Sequence, residues 1–377
     1  MLSAIKDSDV SPSPPASAGR APLPLIVALR ALAALIILWH HFALYPPLRE
    51  WAAPLLGEVL DWFEIHARAT QVFFVVGGYV MARSMNTRHW GSRAVGGFIR
   101  ERYFRLGLPY LAVIAIVLPV YLFARGWVPD AVLGQPVAVM QLLAHLFFLQ
   151  DILGYEPLSA GLWFVCINFQ IGLLYVATLW LRDVPGGGRL DFVGLTGWGL
   201  AIFSLFHANL DSSWDVWALY FFPYFFMGVI VHRAQRGGVA RLEFWLFQAL
   251  LVAAMLFEWR WRLGIALVVG LLLLAGDRRG FAAFWPRSRL LAWLGKISYS
   301  LFLIHFPVLV LVAAIWARLG WNTPELAVAG LLVAFALSVV SAAGFHRWIE
   351  TPAARLARKF RPPAGIGRQV PAPAWAR

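Results

Sequence analysis

Ten apolar stretches of roughly membrane-spanning length divide the chain, near 23–42, 67–84, 106–124, 160–181, 190–207, 214–231, 241–258, 262–276, 290–316 and 325–349. An α-helix rises ~1.5 Å per residue, so about 20 such residues cross the ~30 Å hydrocarbon layer. Lipid offers no partner for backbone N–H and C=O groups, which leaves helices as the way across for apolar runs of this length. The eighth stretch is short for a crossing and the ninth is long. The pattern predicts an all-α fold: a polytopic transmembrane helical bundle of about ten spans, with no visible internal repeat.

Polar segments punctuate that pattern unevenly. Residues 1–22 are rich in Ser, Pro and Ala and show no order of basic region, apolar core and small-residue cleavage site, so a disordered cytoplasmic tail is expected there. A transmembrane domain over 23–352 and a basic cytoplasmic tail over 353–377 complete the division. Two interruptions are longer than connectors need be. The first, about 43–66, carries Glu50, Glu58, Asp61 and Glu64; the second, about 125–159, carries Asp130, His145, Asp151 and Glu156. Within the second, Val137 to Leu149 is too short to span, which predicts a helix lying in the outer interface or dipping into the bundle. Such segments either roof an outward-facing cavity or are ordinary loops with scattered charges.

Charge changes the picture by giving it a direction. With the N-terminus inside, 24 of the 32 Lys and Arg residues fall in inner segments, and five (Arg49, Arg125, Arg260, Arg262, Arg318) fall in outer ones. Arg30, Arg68 and Lys296 lie in or beside spans. This alternation places both termini in the cytoplasm and predicts an even number of spans. It also accounts for the net charge of +13 without a nucleic-acid partner. Composition agrees, since 60% hydrophobic residues, 14% charged residues and a mean hydropathy of +0.70 exclude a soluble globular protein. The single cysteine, Cys166, excludes an intrachain disulfide.

Four constellations carry candidate chemistry. In the first span, Arg30 and His41 are eleven positions apart, about three turns plus ~20°, so both project from one helix face ~16 Å apart. His40 points ~80° away from that line. Ionisable groups are expensive in hydrocarbon, and a pair on one face marks a functional site, although an arginine at inner headgroups and histidines at the outer interface would also produce it. A neutral His41 suits deprotonation of an alcohol, and the planar Arg30 fork suits carboxylate, phosphate or pyrophosphate.

Next, Arg100, Arg102 and Arg105 crowd the entrance to the third span beside Glu101. They suit a phosphorylated donor, and equally suit anionic lipid headgroups and the fixing of topology. In the ninth span, Ser298, Tyr299 and His305 are polar groups in an apolar run, with Pro307 interrupting the bond ladder; hydrogen bonding to neighbouring helices and direct catalysis are both open to them. Asn168 and Gln170 bring two amides into the fourth span, where interhelical hydrogen bonding is the default. The chain has no Gly-rich phosphate loop with Lys-Ser/Thr, no HExxH, no zinc-spaced Cys and His, and no GxSxG elbow. Nothing in these constellations calls for a metal.

Taken together, these pieces resemble acyltransferase family 3, the integral membrane enzymes that O-acylate surface sugars, lipopolysaccharide and glucans. The resemblance runs from about Leu25 to Pro352. It rests on Arg30 and His41, on Val72-Phe-Phe-Val-Val-Gly-Gly-Tyr, and on Arg100 to Pro109. It extends to Ile297-Ser-Tyr-Ser-Leu-Phe-Leu-Ile-His-Phe-Pro and the closing Ile349-Glu-Thr-Pro. It implies a multi-pass protein of the bacterial cytoplasmic (inner) membrane that moves an acyl group, typically acetyl, to an extracytoplasmic carbohydrate hydroxyl. The implied donor is acyl-coenzyme A as co-substrate, with no permanently bound cofactor. His41 would be the catalytic histidine, as general base or transient acyl carrier. Arg30 would hold or polarise the donor, and Arg100, Arg102 and Arg105 would receive its anionic part. Asn168, Gln170, Ser298, Tyr299, His305 and Glu350 would support them.

Two departures stand out from the family pattern. Gly77 stands where serine is common, and Asn168 stands where many members have glutamate, which leaves Glu350, Asp61 or Glu64 as acidic groups to orient the histidine. A transporter of a glycan or anionic metabolite and a polysaccharide polymerase or ligase are the competing classes. The Arg30/His41 match together with the Ser298-Tyr299…His305 stretch favours acyl transfer over both.

Overall fold

The computed structural model describes residues 24–86, 88–184, 191–276 and 288–361. The expected N-terminal tail, the end of the C-terminal tail, and Arg189, Arg278, Arg279 and Arg287 lie outside the described residues. Among the described residues the fold is all-helical, with one isolated bridge between Arg125 and Val128 and no strand.

The helices are α1 (Pro24–Leu44), α2 (Leu48–His66), α3 (Thr70–Met85), α4 (Ser92–Ala124), α5 (Asp130–Leu133), α6 (Val139–Leu146) and α7 (Leu162–Asp183). They continue as α8 (Phe192–Phe206), α9 (Ala218–Ala234), α10 (Val239–Phe257), α11 (Trp261–Ala275), α12 (Arg289–Arg318), α13 (Pro324–Phe345) and α14 (Thr351–Ala357). Among the described residues seven helical segments, those beginning at Pro24, Ser92, Leu162, Phe192, Val239, Arg289 and Pro324, are long and apolar enough to cross a membrane. The remaining three stretches of the hydropathy pattern are the shorter helices α3, α9 and α11, of 16, 17 and 15 residues.

Close packing explains why the short helices hold. In lipid there is little hydrophobic drive between helices, so backbone approach over small residues does the work. At the α3–α9 crossing a Cβ on Gly78 would lie 1.9 Å from the Phe225 carbonyl oxygen, and one on Gly228 would lie 1.9 Å from that of Val75. Around this crossing Phe73 and Phe74 pack on Phe164, and Phe74 stacks on Phe221. On the other side α1 packs along α12, and α12 along α13. Gly295 of α12 sits where a Cβ would meet the Val27 carbonyl oxygen at 2.3 Å.

Both long interruptions are folded. Pro46 and Pro47 follow the end of α1, since proline cannot continue its bond ladder. After them α2 lies against α1 and α13. Two of its four acids are held by one guanidinium: Arg49 reaches Asp61 at 2.6 Å and Glu64 at 3.1 Å, and donates to the Ala43 carbonyl at 3.1 Å. In the second interruption α6 buries Ala144 and His145 while exposing Val139, Met140 and Leu143. The segment then dips beside α4: Tyr103 donates to the Leu146 carbonyl at 2.9 Å, and a Cβ on Gly107 would touch the Phe148 ring at 3.3 Å. Gly107 is 17 residues before the end of α4, or ~26 Å along its axis. At the C-terminus the chain passes through a π-turn (His346–Glu350) into α14, which packs on α4, and Phe360 stacks on Phe104 at 4.8 Å.

Candidate functional site

The pairing of α1 with α12 brings together two histidines that are 264 positions apart. His41 Nδ1 lies 2.6 Å from His305 Nε2, and both rings are buried. Their partners fix the protons. His305 Nδ1 lies 3.0 Å from the Leu301 carbonyl, which can only accept, so that nitrogen carries hydrogen. In the neutral ring Nε2 is then an acceptor, and His41 Nδ1–H donates to it. The consequence is a bare lone pair on His41 Nε2. No carboxylate touches either ring among the described residues. Glu350 instead accepts from Ser300 and pairs with His346 at 2.9 Å, while Asp61 and Glu64 pair with Arg49.

His41 lines a cavity of about 460 Å³ that opens at its end of the bundle. Ile37, Trp163, Phe221 and Phe302 give it apolar walls, while Arg68, Gln71, Asp151, Asp215 and Arg262 bring polar groups. Gln170 shapes one side: its amide donates to the Val216 carbonyl at 3.0 Å and accepts from the Ala218 N–H at 2.8 Å, holding the turn that carries Asp215. Arg262 donates to the Tyr220 hydroxyl at 2.9 Å. Burial pushes the Asp151 carboxyl up to about 6, partly opposed by the Gln150 amide that donates to it, with the charge of Asp215 adding to the rise. Asp215 is raised too, again by burial, with Arg262 opposing.

The arginines separate into two kinds. Arg102 is committed: its Nη2 donates to Asn168 Oδ1 at 2.7 Å and to the Asn168 carbonyl at 2.6 Å. Gly172 makes room for its head, since a Cβ there would fall 2.3 Å from Arg102 Nε. Arg100 turns outward, over the Phe360 ring at 5.9 Å, with Nε donating to the Gly96 carbonyl at 3.3 Å. Arg30 and Arg105 have no hydrogen-bond or ion-pair partner among the described residues. The charges of Glu350 and Arg105 both act on Arg30. Tyr299 donates to the Leu106 carbonyl at 3.2 Å, and Ser298 to the Gly295 carbonyl at 2.9 Å inside its own helix.

The structure therefore joins His41 with His305 and Arg102 with Asn168, and leaves Arg30 and Arg105 without a hydrogen-bond or ion-pair partner among the described residues. It places Ser298 and Gln170 in backbone-holding roles. It adds Gln71, Asp151, Asp215 and Arg262 to the His41 cavity. Gln71, a buried amide at the start of an apolar helix, is the one with a legible signal, since a polar group there must find partners. Gly77 has nothing within 4 Å of where a Cβ would stand, so packing does not demand glycine there.

Comparison with known proteins gives two findings. A family model described as an acyltransferase domain matches residues 26–343. A peptidoglycan O-acetyltransferase of Listeria monocytogenes is 23% identical over 368 residues, which cover 88% of this chain and 55% of that protein. The chain thus spans about half the length of that curated relative. No solved structure matches it.

Proposed function

Because the chain belongs to the acyltransferase family, we propose that it is a membrane O-acyltransferase that carries an acyl group, acetyl in the simplest case, from acyl-coenzyme A to a hydroxyl of a surface glycan. The bundle would cross the membrane ten times with both termini in the cytoplasm, which puts the His41 cavity outside and the Arg30 end of α1 inside. The observation that carries the reading is the lone pair on His41 Nε2. The ring that carries it lines a cavity with polar groups suited to an acceptor, and it shares a helix with an unpaired guanidinium.

In this scheme Arg30 and Arg105 receive the phosphates of the donor, anions whose paired oxygens the planar guanidinium fork matches. The thioester reaches along the ~16 Å between Arg30 and His41. His41 Nε2 removes the proton from the acceptor hydroxyl as its oxygen attacks the thioester carbonyl. The tetrahedral intermediate collapses to the ester, and the thiolate leaves and takes the proton from His41. During this exchange the imidazolium keeps donating from Nδ1 to His305, so its charge meets a fixed acceptor in a dry setting. Arg102 holds α4 to α7 and is a positioning residue. The glycan as acceptor is supported by the Listeria relative, which is named for O-acetylation of peptidoglycan.

Mass spectrometry of surface glycans tests the reading, with cells carrying the wild-type gene, a deletion, and His41→Ala at equal protein level. Loss of one acyl mass from the same glycan in both defective strains is the expected result. An unchanged glycan profile, together with loss of glycan or metabolite transport in both strains, would overturn it in favour of a transporter.

A further inference from the structure

Beside the His41 cavity lies a second one, of about 510 Å³. Pro157 lines both, and Tyr45 stands between them: its ring is 6.0 Å from that of His41 and 4.7 Å from that of Phe306. The lining of this cavity is specialised. Tyr45, Tyr121, Tyr155 and Phe306 bring aromatic rings, and Gln135 and Glu156 bring an amide and a carboxylate. The Tyr121 hydroxyl is spent on the Leu158 carbonyl at 2.9 Å. Among the described residues the hydroxyls of Tyr45 and Tyr155, the Gln135 amide and the Glu156 carboxylate have no hydrogen-bond partner. Gly134 leaves space for that carboxylate: its φ of 69° suits glycine, and a Cβ there would lie 3.0 Å from Glu156 Oε2.

Binding sites combine apolar and aromatic walls with a few placed polar groups. Ligand classes can be told apart by which of those groups they satisfy. A lipid tail would offer nothing to the Glu156 carboxylate and Gln135 amide, both exposed at the cavity, and a phosphate-bearing donor would be repelled by Glu156. A sugar ring satisfies both kinds of wall, since its C–H face lies on aromatic rings while neighbouring hydroxyls donate to a carboxylate.

We infer that this second cavity is a subsite for a neighbouring unit of a glycan chain, and that the acceptor is an oligomer or polymer whose modified unit sits at His41. The inference rests on the acyl-transfer reading above and narrows its substrate class. Binding energy from the adjoining unit then serves to orient the reacting hydroxyl, which is how remote contacts raise the rate at the reacting centre.

The test uses the full chain in liposomes, labelled acetyl-coenzyme A, and glycan fragments released from cells lacking the gene and sorted by length. The expected result is a kcat/KM at least about tenfold higher for fragments of two or more units than for a single unit. In Tyr155→Ala and Glu156→Ala that ratio falls toward one. A ratio is insensitive to the amount of folded protein, so a partly misfolded variant does not imitate this outcome. A wild type without length preference, or variants that keep it, would overturn the subsite while leaving acyl transfer intact. Wild-type protein that acylates no fraction would overturn the transfer reading and the subsite with it.

Discussion

The two ends of α1 solve opposite problems. Around His41 every proton is assigned: a carbonyl fixes His305, His305 fixes His41, and one lone pair is left over. Around Arg30 little is assigned, since neither it nor Arg105 has a hydrogen-bond or ion-pair partner among the described residues. A base must be oriented before its substrate arrives, because a wrong tautomer has no lone pair to offer. An anion site is the reverse. It holds its charges unpaired until the anion comes, and their mutual repulsion is relieved by binding.

The largest effect that would sharpen this contrast is on the base. His41→Ala should lower the transfer rate by about 10³-fold at saturating donor, read from initial rates per folded protein. Next comes its orienter. His305→Ala should cost about 10²-fold in kcat with little change in donor KM, and His305→Gln, which keeps an acceptor, should recover part of the loss. At the other end the split between KM and kcat should invert. Arg30→Ala and Arg105→Ala should each raise the donor KM by about tenfold, equivalent to ~1.4 kcal/mol of binding. Arg102→Ala should behave as neither. With the Asn168 side-chain oxygen left unpaired, it should destabilise the bundle by about 1–3 kcal/mol in detergent melting curves.

The smallest effect concerns Asp151, whose carboxyl burial pushes up to about 6. A folded-state value above the ordinary carboxylate range of about 3.9 means the ionised form is less favourable folded than unfolded. Asp151 therefore weakens the fold progressively as pH rises through about 6. It has no such effect once both states are protonated, below about pH 4. Asp151→Asn should accordingly gain stability over wild type at pH 8, and the gain should vanish at pH 4; a gain that does not depend on pH would contradict the assignment.

What the chain discloses by itself follows from the range of the interactions involved. Arg30 and His41 share one helix, so the 3.6-residue period alone places them on a common face. The partner of His41 is 264 positions away, and the pattern of the ninth span shows only that His305 is polar in an apolar run. The same distance hides the cavity, because Asp215 and Arg262 read as charges at the edges of apolar stretches, whereas in the structure the turn held by Gln170 brings Asp215, and the start of α11 brings Arg262, into the His41 cavity. Asn168 reads as the loss of a carboxylate. In the structure its two oxygens hold Arg102, a task an amide performs without a charge. The acidic segment after α1 reads as a long connector because its acids break the apolar run, whereas Arg49 gathers two of them and lets α2 fold. Helices as short as α3 and α9 are legible only in part, since what secures them is the meeting of Gly78 with α9 and of Gly228 with α3.

The central claim, a base made ready by its histidine neighbour, is tested most directly by nitrogen NMR of the full chain in lipid bilayers. Histidine nitrogens would be labelled and the His41 signals assigned by their loss in His41→Gln. At neutral pH the account predicts a His41 ring protonated at Nδ1 and bare at Nε2, with the His41→Gln change also perturbing the His305 Nε2 resonance. A His41 ring protonated at Nε2, or a His305 signal indifferent to the substitution, would contradict it.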